Sequence, residues 1–297
     1  MSNKAIRYRL EAVAALLPIG VFKLLGLERA SAFGGWLLKT IGPRVGVSRR
    51  ARNNIRRAMP ELTHAEVETI IRDMWENLGR TIAEYAHLDR FKEPAYRDRV
   101  SLSGAEYVEA LKDKGGILVS GHFANWELMP LYLHLLGYEG GEVYRHANNP
   151  LIDKWIVKLR SRAIQPVQIP KGPKGARNVL RVIRKKGFVC MLVDQKMNDG
   201  IEATLFGMKA MTPATPGGLA VRYGVGVIPA TFRRTNGVHF EQVLHEPIFA
   251  DPDAEPLAET ARITQRLNDF LEAEIRENPA QWLWLHNRWP KDAEKDA

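Results

Sequence analysis

The sequence predicts an α/β fold: a mostly parallel central sheet flanked by helices, with a helical, membrane-associated N-terminal segment. Three observations predict it. From about residue 100 onward, continuously apolar runs such as "GILVS" and "GFVCMLV" alternate with amphipathic stretches, the pattern of strands covered on both faces by helices. The first hundred residues carry helical periodicity. Near the N-terminus, apolar segments stand beside clustered basic residues, which suits a segment lying on or in an anionic membrane face. The expected division is a helical segment over 1–100 and an α/β unit over 101–297, the two forming one compact body.

Taken in order, "RLEAVAALLPIGVFKLLGL" follows Lys4 and Arg7, and "ASA" stands at 30–32. That imitates a secretory signal. Glu11 and Lys23 argue against one, and the uninterrupted run from Ala12 to Phe22 is shorter than the roughly 20 residues a bilayer span takes. The alternative is a plain core helix. "SAFGGWLLKTIG" and the arginine-rich "GPRVGVSRRARNNIRR" follow. Thr63 and Glu66 form a capping box that opens "LTHAEVETIIRDMWENLGRTIAEYAHL", with Leu62 and Val67 placed as its staple. A second box, Ser103 with Glu106, is expected to open "SGAEYVEALKDKGG". Then come a strand "GILVS", a helix "NWELMPLYLHLLG", a strand "GEVYR", a helix "PLIDKWIVKLRSRA", a short strand "QPVQI" and a helix "GARNVLRVIRKK". A strand "GFVCMLVDQ", a short helix "TPGGLAVRYG", a strand "VGVIPATF", an edge strand in "HFEQVLHEPIF" and a long helix "PLAETARITQRLNDFLEAEIRENP" complete the chain.

With 45% apolar and 26% charged residues over 297 positions, the chain is globular rather than disordered. A formal net charge of +9 attracts anionic partners: phosphate-bearing lipids, acidic proteins or nucleic acid. No zinc spacing or RNA-binding aromatic motif supports the last. The eight histidines are scattered without an H-E-x-x-H pair, so metal chemistry is not expected. Cys190 cannot form an internal disulfide and, inside "GFVCMLV", reads as a small packing residue.

The stretch "SGHFANWELMP" carries the chemistry. His122 falls just past the carboxyl end of a strand, the edge where open α/β sheets place ligand sites. Asn125 is a candidate N-cap for the next helix, and Glu127 lies in its first turn. On one helix, positions five apart face different ways; across a strand–loop–helix turn they can meet. Glu127 would then hold one ring nitrogen while the other takes a proton. G-x-S-x-G is absent, so the base would act on a substrate hydroxyl. The plain alternative is a turn histidine and a helix-start charge, which spacing alone favours; a histidine directly after an apolar strand and before a capped helix is the rarer arrangement that tells against it.

"SGHFANWE" resembles the H-x4-D/E signature of bacterial membrane acyltransferases, specifically the lipid A biosynthesis acyltransferases of lauroyl/myristoyl type. "VYRHANNPLID", "MLVDQKMNDGIEATLFGMKAMTPATPGG" and "PAQWLWLHNRW" are similar to further blocks of that family. Together they cover most of residues 100–290. The resemblance implies transfer of a fatty acyl chain from an acyl carrier protein thioester to a hydroxyl of a lipid A precursor, on the cytoplasmic face of the inner membrane and beside its lipids, with no cofactor. It implies His122 as general base and Glu127 as the acid that orients it. Arg145 would bind a phosphate or polarise the thioester oxygen, or else be a surface arginine. Asn125 and Asn149 would support substrate binding, or in the case of Asn149 form a turn before Pro150. Asp194 leaves its strand at the same edge as His122 and would compete with Glu127 for the ring, while Gln195 would contact substrate. Both are equally readable as a polar strand end.

The run Lys171, Lys174, Arg177, Arg181 and Arg184 is a solvated face or a docking surface. Trp282, Trp284 and Trp289 pack the core or form an interfacial belt. Acceptors other than lipid A (another glycolipid or a phospholipid), a non-catalytic lipid-binding role and a periplasmic hydrolase stand as alternatives. "VDQKMNDG" replaces the Glu-Gly-Thr-Arg loop of glycerol-3-phosphate-type enzymes and argues against that branch.

Overall fold

The structure, a computed structural model, describes residues 3–163 and 167–289. Four helices lead: α1 (Asn3–Leu25), α2 (Leu27–Ile41), α3 (Ser48–Ala58) and α4 (His64–Glu84). The expected capping box opens α4. The Thr63 hydroxyl accepts from the Glu66 backbone N–H, and the Glu66 carboxylate accepts the Thr63 N–H at 2.8 Å. α2 and α4 cross at glycines. A Cβ on Gly79 would lie 2.1 Å from the Gly34 carbonyl oxygen, so the two backbones touch directly.

Two 3-10 stretches lead to β1 (Val100–Ser103) and α5 (Ala105–Ala110). The α/β pattern follows as β2 (Gly116–Ser120), α6 (Leu131–Leu135), β3 (Gly140–Tyr144), α7 (Pro150–Ala163), β4 (Val167–Pro170), α8 (Pro173–Arg184) and β5 (Phe188–Leu192). It continues through β6 (Ile201–Leu205), β7 (Met208–Thr212), α9 (Thr215–Tyr223), β8 (Gly226–Asn236), β9 (His239–Leu244) and α10 (Pro256–Glu277).

The main sheet runs β1-β9-β8-β2-β5-β3-β4. Its five strands from β8 to β4 are parallel; β9 returns antiparallel to β8, and β1 pairs parallel with β9. Every residue of β2 is buried, as are the first seven of β8, which explains their unbroken apolar runs.

Three expectations need correction. The second capping box is absent: Ser103 ends β1, and α5 starts at Ala105 without a side-chain cap. The helix expected over 125–137 is split into a 3-10 turn, Trp126–Leu128, and α6. Pro130 lies between them and cannot donate to a continuing helix. β9 is not an edge strand, because β1 pairs outside it. A separate hairpin, β6–β7, was not foreseen. Phe206 (φ 54°) and Gly207 (φ 70°) form its two-residue turn. That geometry fits a type I′ turn, usually announced by Asn-Gly rather than Phe-Gly. Gln165 and Pro166 of the expected strand "QPVQI" lie outside the described residues.

Among the described residues, no helix is long and apolar enough to cross a membrane. α1 nonetheless exposes Leu10 (67%), Leu17 (67%) and Leu24 (89%), and α2 exposes Trp36 (60%). The closing tryptophans are core: Trp282, Trp284 and Trp289 are all buried.

Gly79→Ala is expected to cost about 1–3 kcal/mol, the usual penalty for overpacking a tight contact. Chemical denaturation measures it, and an unchanged midpoint would show that α2 and α4 can separate freely.

Candidate active site

The register between β2 and β5 pairs Ser120 with Leu192. Two residues beyond each, the chain presents His122 and Asp194 side by side at the carboxyl edge of the sheet. His122 Nδ1 lies 2.7 Å from Asp194 Oδ1, and the His122 backbone N–H donates to Oδ2 at 2.8 Å. The Trp282 indole N–H donates to the same Oδ2 at 2.8 Å. Asp194 is fully enclosed. Burial pushes its carboxyl upward, but the charge and hydrogen bonds of His122, with the bond from Trp282, outweigh this and hold it well below the usual carboxylate range.

The loop carrying His122 is held from both sides. Phe123 bridges to Trp282, the Leu283 N–H donates to the His122 carbonyl at 3.2 Å, and the Ala124 N–H donates to the Gln281 carbonyl at 2.9 Å. From α4, Asn77 Nδ2 and Thr81 Oγ1 donate to the Ala124 carbonyl at 3.2 and 2.9 Å. Ala124 has φ 45°, a conformation a non-glycine residue keeps only where its surroundings over-determine it.

Glu127 does not reach the histidine. It is fully buried and accepts from both Arg160 Nε, at 2.6 Å, and Arg160 Nη2. It also accepts from Tyr85 OH and Trp126 Nε1. The short 3-10 turn aims its carboxylate at α7 instead of back over the loop. Glu142 stands 3.9 Å from Arg160 Nε. Burial raises the Glu142 carboxyl, Arg160 lowers it and the negative Glu127 raises it again; the result is about 7. Glu127 moves the other way: burial opposes its charge, but Arg160 prevails and keeps it low.

The remaining expected residues divide. Gln195 Nε2 lies 3.1 Å from His122 Nε2 and 2.8 Å from His286 Nε2. Arg145 lines the mouth of the same cavity. Asn125 is buried away from it, donating to Glu84 at 2.8 Å within a network that Arg234 completes. Asn149 caps α7 by accepting the Leu151 N–H at 3.0 Å, and it donates to the Tyr8 carbonyl at 2.9 Å. Asp194, placed with the substrate contacts but also as a rival to Glu127 for the ring, meets the imidazole from behind and is enclosed there. Cys190 is buried in the core, with its thiol pushed up by that burial.

Sequence reasoning missed His286, Trp126, Arg160 and Glu142, which also line the cavity. The block "LWLHNRW" drew notice for its tryptophans, and no local pattern marks its histidine.

Two cavities adjoin. The first is polar and is walled by His122, Arg145, His146, Lys171, Gln195 and His286, among others. The second is lined mainly by apolar side chains, including Ile169, Val179, Met191, Val193, Met197 and Pro216. Val143, Lys171 and Leu192 border both. Among the described residues, no group of three or more His, Cys, Asp or Glu side chains is placed to hold a metal ion. The arrangement offers a basic ring nitrogen over a polar cavity that leads to an apolar one.

A family model described as "Bacterial lipid A biosynthesis acyltransferase" matches residues 10–291. A curated protein of Haemophilus influenzae, named "Lipid A biosynthesis acyltransferase", is 23% identical over 262 residues, covering 86% of this chain and 81% of that protein.

Because Glu142 ionises less readily folded than unfolded, its contribution to stability is present below the ordinary glutamate range and is lost as pH rises through about 7. Glu142→Gln should therefore gain thermal stability relative to the parent as pH goes from 5 to 8. A midpoint difference that does not change with pH would contradict this.

Proposed function

The chain belongs to the bacterial lipid A biosynthesis acyltransferase family, and with that as premise we propose that His122 is the general base of an acyl transfer from an acyl carrier protein thioester to a hydroxyl of a lipid A precursor. The family makes the protein an acyltransferase of lipid A biosynthesis. The donor, the base and the place of action are the further steps. The observation that carries them is the His122–Asp194 pair facing a polar cavity that borders an apolar one.

Asp194 only accepts hydrogen bonds when ionised, so in the neutral ring the proton sits on Nδ1 and Nε2 presents its lone pair to the cavity. The acceptor hydroxyl donates to Nε2. As its oxygen attacks the thioester carbon, the proton passes to Nε2 and the carbonyl electron pair moves onto oxygen. Collapse of that tetrahedral species breaks the C–S bond, and the imidazolium returns the proton to the departing thiolate sulfur. Asp194 stabilises the imidazolium while it lasts. The apolar cavity suits the acyl chain, and the Arg145 guanidinium and Lys171 ammonium at the mouth suit phosphate groups. Glu127, the acid of the H-x4-E spacing, takes a positioning role. It holds Arg160, which lines the cavity.

The exposed apolar side chains of α1 and α2 suit a segment lying flat on the inner membrane's cytoplasmic face, where both a lipid acceptor and a carrier-protein donor are within reach. The +9 net charge favours anionic lipid and an acidic carrier protein alike.

Mass spectrometry of a lipid A precursor incubated with the protein and defined acyl carrier protein thioesters should show the added acyl mass. His122→Ala should lower kcat by about 10²–10⁴-fold, the usual share of a general base. Asp194→Asn should also act on kcat, with the KM of the acceptor little changed. Full activity in His122→Ala would remove the reading. Leu17→Glu with Leu24→Glu should reduce co-flotation with anionic vesicles while leaving the fold intact; undiminished flotation would place the membrane contact elsewhere.

A further inference from the structure

Gln195 stands between two imidazoles, and the direction of its hydrogen bonds follows from Asp194. In the neutral His122 ring the Nδ1 proton goes to the carboxylate, so Nε2 can only accept. Its neighbour at 3.1 Å must then be a donor, the amide nitrogen of Gln195. The same nitrogen has a second hydrogen, and His286 Nε2 lies 2.8 Å away. That hydrogen therefore serves His286, whose own ring proton is on Nδ1. Burial holds His286 below the usual histidine range, which keeps Nε2 free to accept.

The reacting hydroxyl must take over the His122 lone pair. Once it does, one N–H of Gln195 is released within a hydrogen-bond length of the atom that delivers the nucleophile. The other stays anchored on His286. The carbonyl oxygen of the thioester becomes an oxyanion beside that nucleophile, inside the same cavity walled by Gln195 and His286. From this geometry we infer that Gln195 is a catalytic residue whose freed N–H stabilises the oxyanion, and that His286 is a positioning residue that fixes the amide for this purpose. The inference rests on the reading of His122 as general base.

An amide held before reaction is worth more than one that must turn during it, because no reorganisation is needed as the charge develops. The same contact restrains the resting site, since Nε2 is capped until an acceptor hydroxyl displaces the N–H. No proton is gained or lost through Gln195. The amide only donates hydrogen bonds, so proton movement between hydroxyl, His122 and thiolate is unchanged.

Steady-state kinetics with an acyl carrier protein thioester and a lipid A precursor tests the assignment. Gln195→Met keeps the shape and removes the donor. It should lower kcat by about 10²–10³-fold, the usual cost of losing one oxyanion donor, and leave the KM of the acceptor near its parent value. His286→Ala should lower kcat by less, and His286→Gln, which restores an acceptor for the amide, should recover most of that loss. Thermal denaturation of each variant confirms its fold. His122→Ala, run alongside, separates the two levels. If it is inactive while Gln195→Met keeps kcat within about threefold of the parent, or loses only in KM, the oxyanion role falls and the base survives. If His122→Ala is active, the underlying reading falls first. If His286→Gln is as impaired as His286→Ala, the anchoring role of His286 is overturned.

Discussion

A single buried carboxylate organises this site. Asp194 gathers three donors, the His122 backbone N–H, the His122 ring and the Trp282 indole, from two segments far apart in sequence. Without those donors a charge enclosed this completely would be expelled or neutralised. With them it remains ionised and sets the tautomer of the ring it touches. The closing segment of the chain is thus part of the same electrostatic unit as the loop after β2. The buried tryptophans around Trp282 exclude water from it.

A second set of charges borders the cavity. Glu127, Arg160 and Glu142 form a buried chain in which one cation serves two carboxylates of unequal acidity. Arg160 grips Glu127 through two nitrogens, the geometry its planar fork favours. Of the N-terminal helices, α4 reaches the site through side chains that bind the loop backbone. α4 donates two side-chain hydrogen bonds to the carbonyl of Ala124, at the strained point of the histidine loop. Packing in the helical segment and the orientation of His122 are therefore coupled.

Much of this was legible in sequence, and the reasons differ by element. The helix over Pro150–Ala163 and the long α10 announce themselves by period and boundaries. The buried strands β2 and β5 announce themselves by unbroken apolar runs. β1 did not, because four residues pairing at an edge carry too little pattern. The hairpin β6–β7 hid behind a phenylalanine in a turn position. At the site, His122 and Asp194 could each be placed at a strand end, but which acid meets the ring depends on the strand order, which local spacing does not contain. Glu127 lies five residues from His122 and turns away; Asp194 lies far off in sequence and makes the contact. His286 was invisible for the same reason, since its importance arises only from where the chain returns.

The pairing of β2 with β5 carries one more consequence. Neighbouring parallel strands lie about 4.8 Å apart and are locked in step by their ladder, so histidine and aspartate meet because two backbones are aligned, before any side chain adjusts. Inserting one residue inside either strand would turn every following side chain to the opposite face and part the pair. Insertions beyond His122 or beyond Asp194 would spare it. Evolutionary remodelling of this protein's substrate preference is therefore channelled into the connecting segments and the cavity walls, while the two core strands must keep their length.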